Sequence, residues 1–298
     1  MATLKDIKKR ITSVQSTRQI TRTMEMVATA KIRRAQDRIE SARPYALATT
    51  EVLGNVVSSV GTVVHPLLEV REDRKRVCII AAAADRGLAG AFNSNIIRIA
   101  ERLRADYTAQ GVEVELVTVG KKVLGYFRYR GIEPVLSLVG MSDKPSYAHA
   151  RQIADYVRDA YAAENLDAVH VVFNRFKNIA EQRPETLQLL PVERTTLERV
   201  ESEVEDRGRV GEYLFEPSPE AVLSSLLPTY VEALVLRALL ESAASQLGAQ
   251  RTAMKSATDN ATEIIATLQR SYNRARQAAI TTEISEIVGG AAALEDKG

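Results

Sequence analysis

The side chains able to do acid–base, nucleophilic or metal chemistry in this 298-residue sequence are few and scattered. His65, His149 and His170 lie far apart and show no metal-ligand spacing. Cys78 is the single cysteine, so an intrachain disulfide or thiolate cluster is excluded and a reducing compartment fits best. It sits inside the apolar run RVCIIAAAA (76–84), where a thiol reads as a small core residue rather than a nucleophile. No GxSxG or Ser/His/Asp ordering appears. The one candidate cradle is Gly87-Leu88-Ala89-Gly90, after a strand and before a helix, where backbone N–H groups could hold an anion. It is not GxGxxG, and Gly120-Lys121-Lys122 lacks the earlier glycine and the hydroxyl of a phosphate loop. No catalytic, cofactor-binding or metal site is expected.

The elements around these residues fall into three segments: 1–57, 58–218 and 219–298. In the first, Leu4, Ile7, Ile11 and Val14 follow the 3,4,3 spacing of one helical stripe. The stripe falters near Ser16 and Thr17, resumes at Ile20, Met24 and Val27, and drifts to Ile32, Ala35, Ile39 and Ala42. In the third segment, Leu240, Ala244, Leu247, Arg251, Met254, Thr258, Ala261, Ile265, Leu268, Tyr272, Ala275 and Ala279 alternate 4,3 without a slip. Ten of these twelve are apolar, which defines an a/d heptad seam, and its many alanines let two helix axes approach closely. At 1.5 Å per residue the two helices would run roughly 80 Å and about 90 Å, too long for one globular core to bury.

The middle segment changes period. Strands are expected at 76–84, 112–119, 135–139, 168–173 and 187–190, with helices at 95–109, 121–129 and 147–163. This alternation implies right-handed crossovers and a mostly parallel, two-sided sheet. The acidic stretch Glu198 to Asp206, with Gly208 and Gly211, reads as a mobile surface loop, and Pro217 and Pro219 punctuate the start of the last helix. The fold class is therefore α/β plus coiled coil: a long antiparallel two-helix coiled coil from both termini, with an inserted Rossmann-like α/β domain.

Composition narrows the function. Forty basic against thirty-eight acidic side chains leave a formal charge of +2, so no global field marks a nucleic-acid binder. Locally, eleven Lys or Arg stand against four acids between residues 1 and 43, whereas six of each sign balance between 229 and 288. No run approaches eighteen apolar residues, so no membrane span is expected. MATLKDIKKR lacks the apolar stretch of a secretory signal, and Asp6 within a continuing helical pattern argues against a transit peptide.

Several motifs resemble one family. Met24-Glu25-Met26-Val27-Ala28 resembles the N-terminal signature of the gamma subunit of F-type ATP synthase. So do Ser41-Ala42-Arg43-Pro44-Tyr45, Asp85-Arg86-Gly87-Leu88 and Ala257-Thr258-Asp259-Asn260. The most specific match runs from Tyr272-Asn273-Arg274-Ala275-Arg276-Gln277 to Gly289-Gly290-Ala291-Ala292, and the likeness covers residues 2 to 294. Where the family usually has an arginine, Gln250 stands, with Arg251 one place later.

The resemblance implies a non-catalytic central-stalk rotor. The paired helices would be the shaft inside three alpha and three beta subunits, and the insert a foot on epsilon and the membrane c-ring. Proton flow would turn the shaft and drive sequential affinity changes at the beta sites. Met24, Arg276, Gln277, Thr281 and Glu283 match contacts with beta. Lys31, Arg33, Arg34 and Arg38 form a basic face toward acidic beta loops, and the tail from Ile287 to Leu294 would end inside an apolar collar. Membrane association would be indirect, on the cytoplasmic side of a bacterial cell membrane. A nucleotide-binding enzyme dimerised through a coiled coil, or a scaffold protein, are the alternatives.

Overall fold

The computed structural model describes residues 3–59, 65–192, 216 and 218–295; the expected loop Glu198 to Asp206 lies outside them. The elements in chain order are helix α1 (Leu4–Ser59), a 3-10 turn (Pro66–Leu68), β1 (Arg76–Ala82), α2 (Phe92–Ala109), β2 (Glu113–Val119), α3 (Lys121–Tyr129) and β3 (Leu136–Leu138). They continue with α4 (Tyr147–Ala162), β4 (Ala168–Phe176), β5 (Gln182–Leu190) and α5 (Pro219–Glu295). Packing divides the chain inside both long helices. One unit comprises the residues up to Val27 with those from Arg251 onward, and the other spans Ala28–Gln250.

In the larger unit the strands form one sheet in the order β3-β2-β1-β4-β5. β1 pairs in parallel with β2 and β4, β2 in parallel with β3, and β4 antiparallel with β5. β1 is buried on both faces, which is why it reads as an unbroken apolar run. Val77, Ile79 and Ala81 face a core made with α2 and α3 (Ile96, Ala100, Val123, Phe127). Cys78, Ile80 and Ala82 face a second core with Ile153 and Val157 of α4, Leu53 and Val56 of α1, and Leu227, Val231 and Val235 of α5.

Several boundaries differ from the sequence reading. β5 starts at Gln182 rather than 187, because the outer half of this edge strand is polar and partly exposed and shows no apolar alternation. Pro184 is tolerated there for the same reason. Asn178 Oδ1 accepts N–H bonds from Ala180 and Glu181, closing the hairpin. α5 begins at Pro219, where the sequence places the start of the last helix, and carries Pro228 inside it. One 18-residue window of α5 reaches a mean hydropathy of 1.4, enough by composition for a membrane span, yet half of it is buried within the protein. The run Ala238 to Gly248 is buried throughout, as expected of a helix enclosed on all sides.

In the smaller unit, Thr3 starts α1: its hydroxyl accepts the Asp6 N–H at 3.2 Å while Asp6 accepts the Thr3 N–H at 3.1 Å. Thr21 Oγ1 and Thr258 Oγ1 hydrogen-bond at 2.8 Å. Counting away from that bond, Val14, Ile11, Ile7 and Leu4 on α1 mirror Ile265, Leu268, Tyr272 and Ala275 on α5, all buried or half-buried. Equal spacings in opposite chain directions define an antiparallel register with Leu4 level with Ala275. The seam does not resume at Ile20, Met24 and Val27 as a set. The 4,3 register continuing from Val14 falls on positions 18, 21 and 25, held by Arg18, Thr21 and Glu25. Ile20 and Val27 lie one residue off it and are 59% and 50% exposed. On α5 the seam ends at Ala275 rather than Ala279, and every residue from Arg276 to Gly289 is exposed.

Gly120, at the turn from β2 to α3, has φ +97°, and a Cβ there would lie 2.5 Å from Ala83 O. Gly120→Ala is expected to cost about 3 kcal/mol through backbone strain and overpacking, read as a lower urea midpoint at unchanged m-value.

Candidate functional site

In an open parallel sheet the place to look for a ligand is the C-terminal edge of the strands. Here that edge is occupied by the chain itself. Asp85, just after β1, accepts N–H bonds on Oδ1 from Lys121 (3.0 Å) and Gly140 (2.9 Å), and on Oδ2 from Ser142 (3.0 Å). The Asp85 N–H donates to Ser142 Oγ at 2.9 Å. Partial burial pushes this carboxyl upward, but the hydrogen bonds from Gly140, Ser142 and Lys121 outweigh it and hold the group below its ordinary value. A carboxylate thus fills the N–H cradle that an anionic ligand would need.

The remaining space is small. A cavity of about 10 Å³, lined in part by Ala82, Met141, Ser142, Leu239, Ser242 and Gln246, has room for about one water. The Gly87–Gly90 turn is a tight connection in which Leu88 (φ 64°) and Gly90 (φ 55°) are left-handed. Asn93 braces it, accepting the Ala84 N–H at 2.9 Å and donating to Arg86 O at 3.2 Å. The roles of Asp85 and Asn93 were not readable in advance. Their partners lie between 7 and 57 residues away in the chain.

Each histidine has a structural task. His65 Nδ1 accepts the Leu67 N–H at the start of the 3-10 turn. His149 completes the capping box of α4 with Ser146. His170 is buried in β4, with its Nε2 2.7 Å from the Tyr107 hydroxyl, to which Arg74 donates at 3.1 Å. Burial, then the Arg74 charge, lowers its pKa to about 4. Burial likewise pushes the Cys78 thiol far up. Among the described residues no group of His, Cys, Asp or Glu could hold a metal ion.

The residues singled out in the sequence fall in two places. Arg276, Gln277, Thr281 and Glu283 lie on the exposed end of α5, where the Thr281 hydroxyl donates to Gln277 O at 2.9 Å. Met24 is half-buried on α1 in the same unit. Lys31, Arg33, Arg34 and Arg38 are exposed on the α1 segment of the larger unit. Lys31 meets an acid of its own chain, with Nζ 3.6 Å from Asp143 Oδ2. The sequence reading missed Asp143.

The larger unit is thus an α/β domain whose ligand edge is self-filled, and the smaller a helix pair in which α5 continues past Ala275 with residues 276–289 exposed. A family model described as ATP synthase matches residues 3–294. The ATP synthase gamma chain of Desulforamulus reducens is 50% identical over 99% of this chain and 100% of its own length. That of Heliobacterium modesticaldum is 48% identical over the same shares. A chain of the Tetrahymena thermophila mitochondrial ATP synthase central stalk and c-ring superposes with TM-score 0.59 at 26% identity, covering 80% of this chain and 99% of that one. A chain of the Euglena gracilis ATP synthase rotor shares the fold, with TM-score 0.64 at 20% identity over 93% and 98%. The chain belongs to the ATP synthase gamma chain family, whose members are non-catalytic subunits of that complex.

His170 makes a pH prediction. It is neutral in both states above pH 6.5; below that the unfolded chain takes up a proton first, so stability falls until the folded group titrates near pH 4. This one group accounts for a loss on the order of 3 kcal/mol across that window. Urea titrations of the full chain at pH 7, 5.5 and 4 are expected to show a shallower decline for His170→Gln than for the parent.

Proposed function

We propose that this chain is the central-stalk rotor of a proton-translocating F-type ATP synthase. The helix pair turns inside a ring of three alpha and three beta subunits, and the α/β domain sits with epsilon on the membrane c-ring. Torque from the ring reaches the beta sites because different faces of the turning shaft bind each beta differently, which shifts their relative nucleotide affinities. The chain is peripheral on the cytoplasmic face of a bacterial cell membrane, held there through the complex, and binds no nucleotide itself.

The observation that carries this reading is the end of α5. Ile280, Ile284, Ile287 and Val288 are between 47% and 67% exposed along a helix that is not covered there by any of the described residues. A soluble monomer rarely leaves such an apolar surface open, so a surrounding partner is required. Arg276, Gln277, Thr281 and Glu283 on this stretch, with Met24 on α1, are the proposed contacts to beta. Arg33, Arg34 and Arg38, with Lys31 shared with Asp143, present the basic face to acidic loops of beta.

Tagged chain purified from its native membranes is expected to bring down alpha, beta, epsilon and c subunits. Recovery as a free homodimer, or tight ATP or NAD binding by the chain alone, contradicts the proposal. In the assembled complex, a version cut at Gly289 is expected to turn with reduced torque, and unchanged torque shows the tail to be dispensable.

A further inference from the structure

Between Ala238 and Gly248 helix α5 is buried on every side, yet the run contains Glu241, Ser242, Ser245 and Gln246. Three of these polar groups reach three different parts of the sheet edge. Ser242 Oγ donates to Ala82 O at the end of β1 (3.1 Å), and Ser245 Oγ donates to Asn174 O in β4 (2.9 Å). Gln246 Nε2 donates to Asp143 Oδ1 in the β3–α4 loop (3.3 Å), the same carboxylate that meets Lys31 of α1. Gly248 lies against the β4–β5 hairpin, where a Cβ would come 2.8 Å from Gln182 Nε2. That amide is held by the Asn178 and Ile179 carbonyls. Ala244 and Leu247 pack on Ile32 and Ala35 of α1.

At about 3.6 residues per turn Ser242, Ser245, Gln246 and Gly248 share an arc of roughly 160°, and the apolar Ala244 and Leu247 take the opposite side against α1. Apolar contacts alone are non-directional and resist turning weakly; hydrogen bonds to fixed carbonyls are directional and fail when the helix rotates or slides. Alanine would fill the sites of Ser242 and Ser245, and the hydroxyls, costly to bury unless bonded, add orientation. These contacts occupy the last residues of the larger unit, which ends at Gln250.

We infer that Ser242, Ser245, Gln246 and Gly248 are positioning residues of a torsional clamp that keys α5 to the sheet and passes torque between them, an inference that rests on the rotor reading. Each key removed raises the population of slipped helix states about five-fold. In proteoliposomes carrying the assembled complex, the Ser242→Ala/Ser245→Ala/Gln246→Ala variant is expected to keep ATP hydrolysis while pumping fewer protons per ATP. A probe on the α/β domain, with the alpha–beta head fixed, is expected to show a wider angular spread. Ser245→Ala alone, which disturbs folding least, widens the spread by less, and Ser245→Thr, which restores the hydroxyl, narrows it again. Unchanged pumping and spread in a triple variant that assembles overturn the clamp. If the triple variant does not assemble, Ser245→Ala with the parent's spread overturns it. A parent complex that hydrolyses ATP without pumping overturns the rotor reading itself.

Discussion

One helix has to satisfy three environments in succession, and the rest of the structure depends on how it does so. Against the sheet, α5 is enclosed on all sides and uses small or apolar residues with hydroxyls that find carbonyls, as at Ser242 and Ser245. Beyond Arg251 it narrows to a seam, with Met254, Ala261 and Ile265 buried and the flanking positions in water. Past Ala275 it is exposed among the described residues and presents Ile280, Ile284 and Ile287 to solvent. Mean hydropathy blurs these three conditions, since a window of this helix passes for a membrane span.

A polar pair marks the register of the seam, with Thr21 Oγ1 and Thr258 Oγ1 2.8 Å apart across it. Leucine, isoleucine and alanine tolerate a heptad slip, because any slipped pairing is still apolar. Each seam threonine also has a carbonyl of its own helix, Thr21 Oγ1 donating to Arg18 O at 3.0 Å and Thr258 Oγ1 to Met254 O at 2.9 Å. In the register that pairs Thr21 with Thr258, Leu4 lies level with Ala275, and α5 runs on to Glu295. The exposed stretch from Arg276 to Gly289 lies beyond that level, and it is the proposed partner surface.

Much of this was legible in the sequence where one physical signal dominated. α3 was readable to the residue, from Lys121 after a glycine to Tyr129 before Arg130-Gly131, and the a/d spacing of α5 marked its seam. Reading failed where two signals competed. At Ile20 and Val27 apolar character pointed to the seam, while the heptad count pointed to Thr21. In β5 an exposed edge removed the alternation that marks a strand. The ligand edge was legible only as a glycine-rich turn. Its occupant, Asp85, is recognisable only once Lys121, Gly140 and Ser142 are brought to one point by the crossovers.

The antiparallel register is tested most directly by paired cysteines. A disulfide requires Cβ atoms about 4 Å apart, and one heptad of slip moves a helix by about 10 Å. With Val14→Cys and Ile265→Cys in one full-length chain, mild oxidation is expected to give a fast intramolecular cross-link, while Val14→Cys with Tyr272→Cys gives none. The reverse preference, or equal rates for both pairs, contradicts the helix pairing on which the account stands.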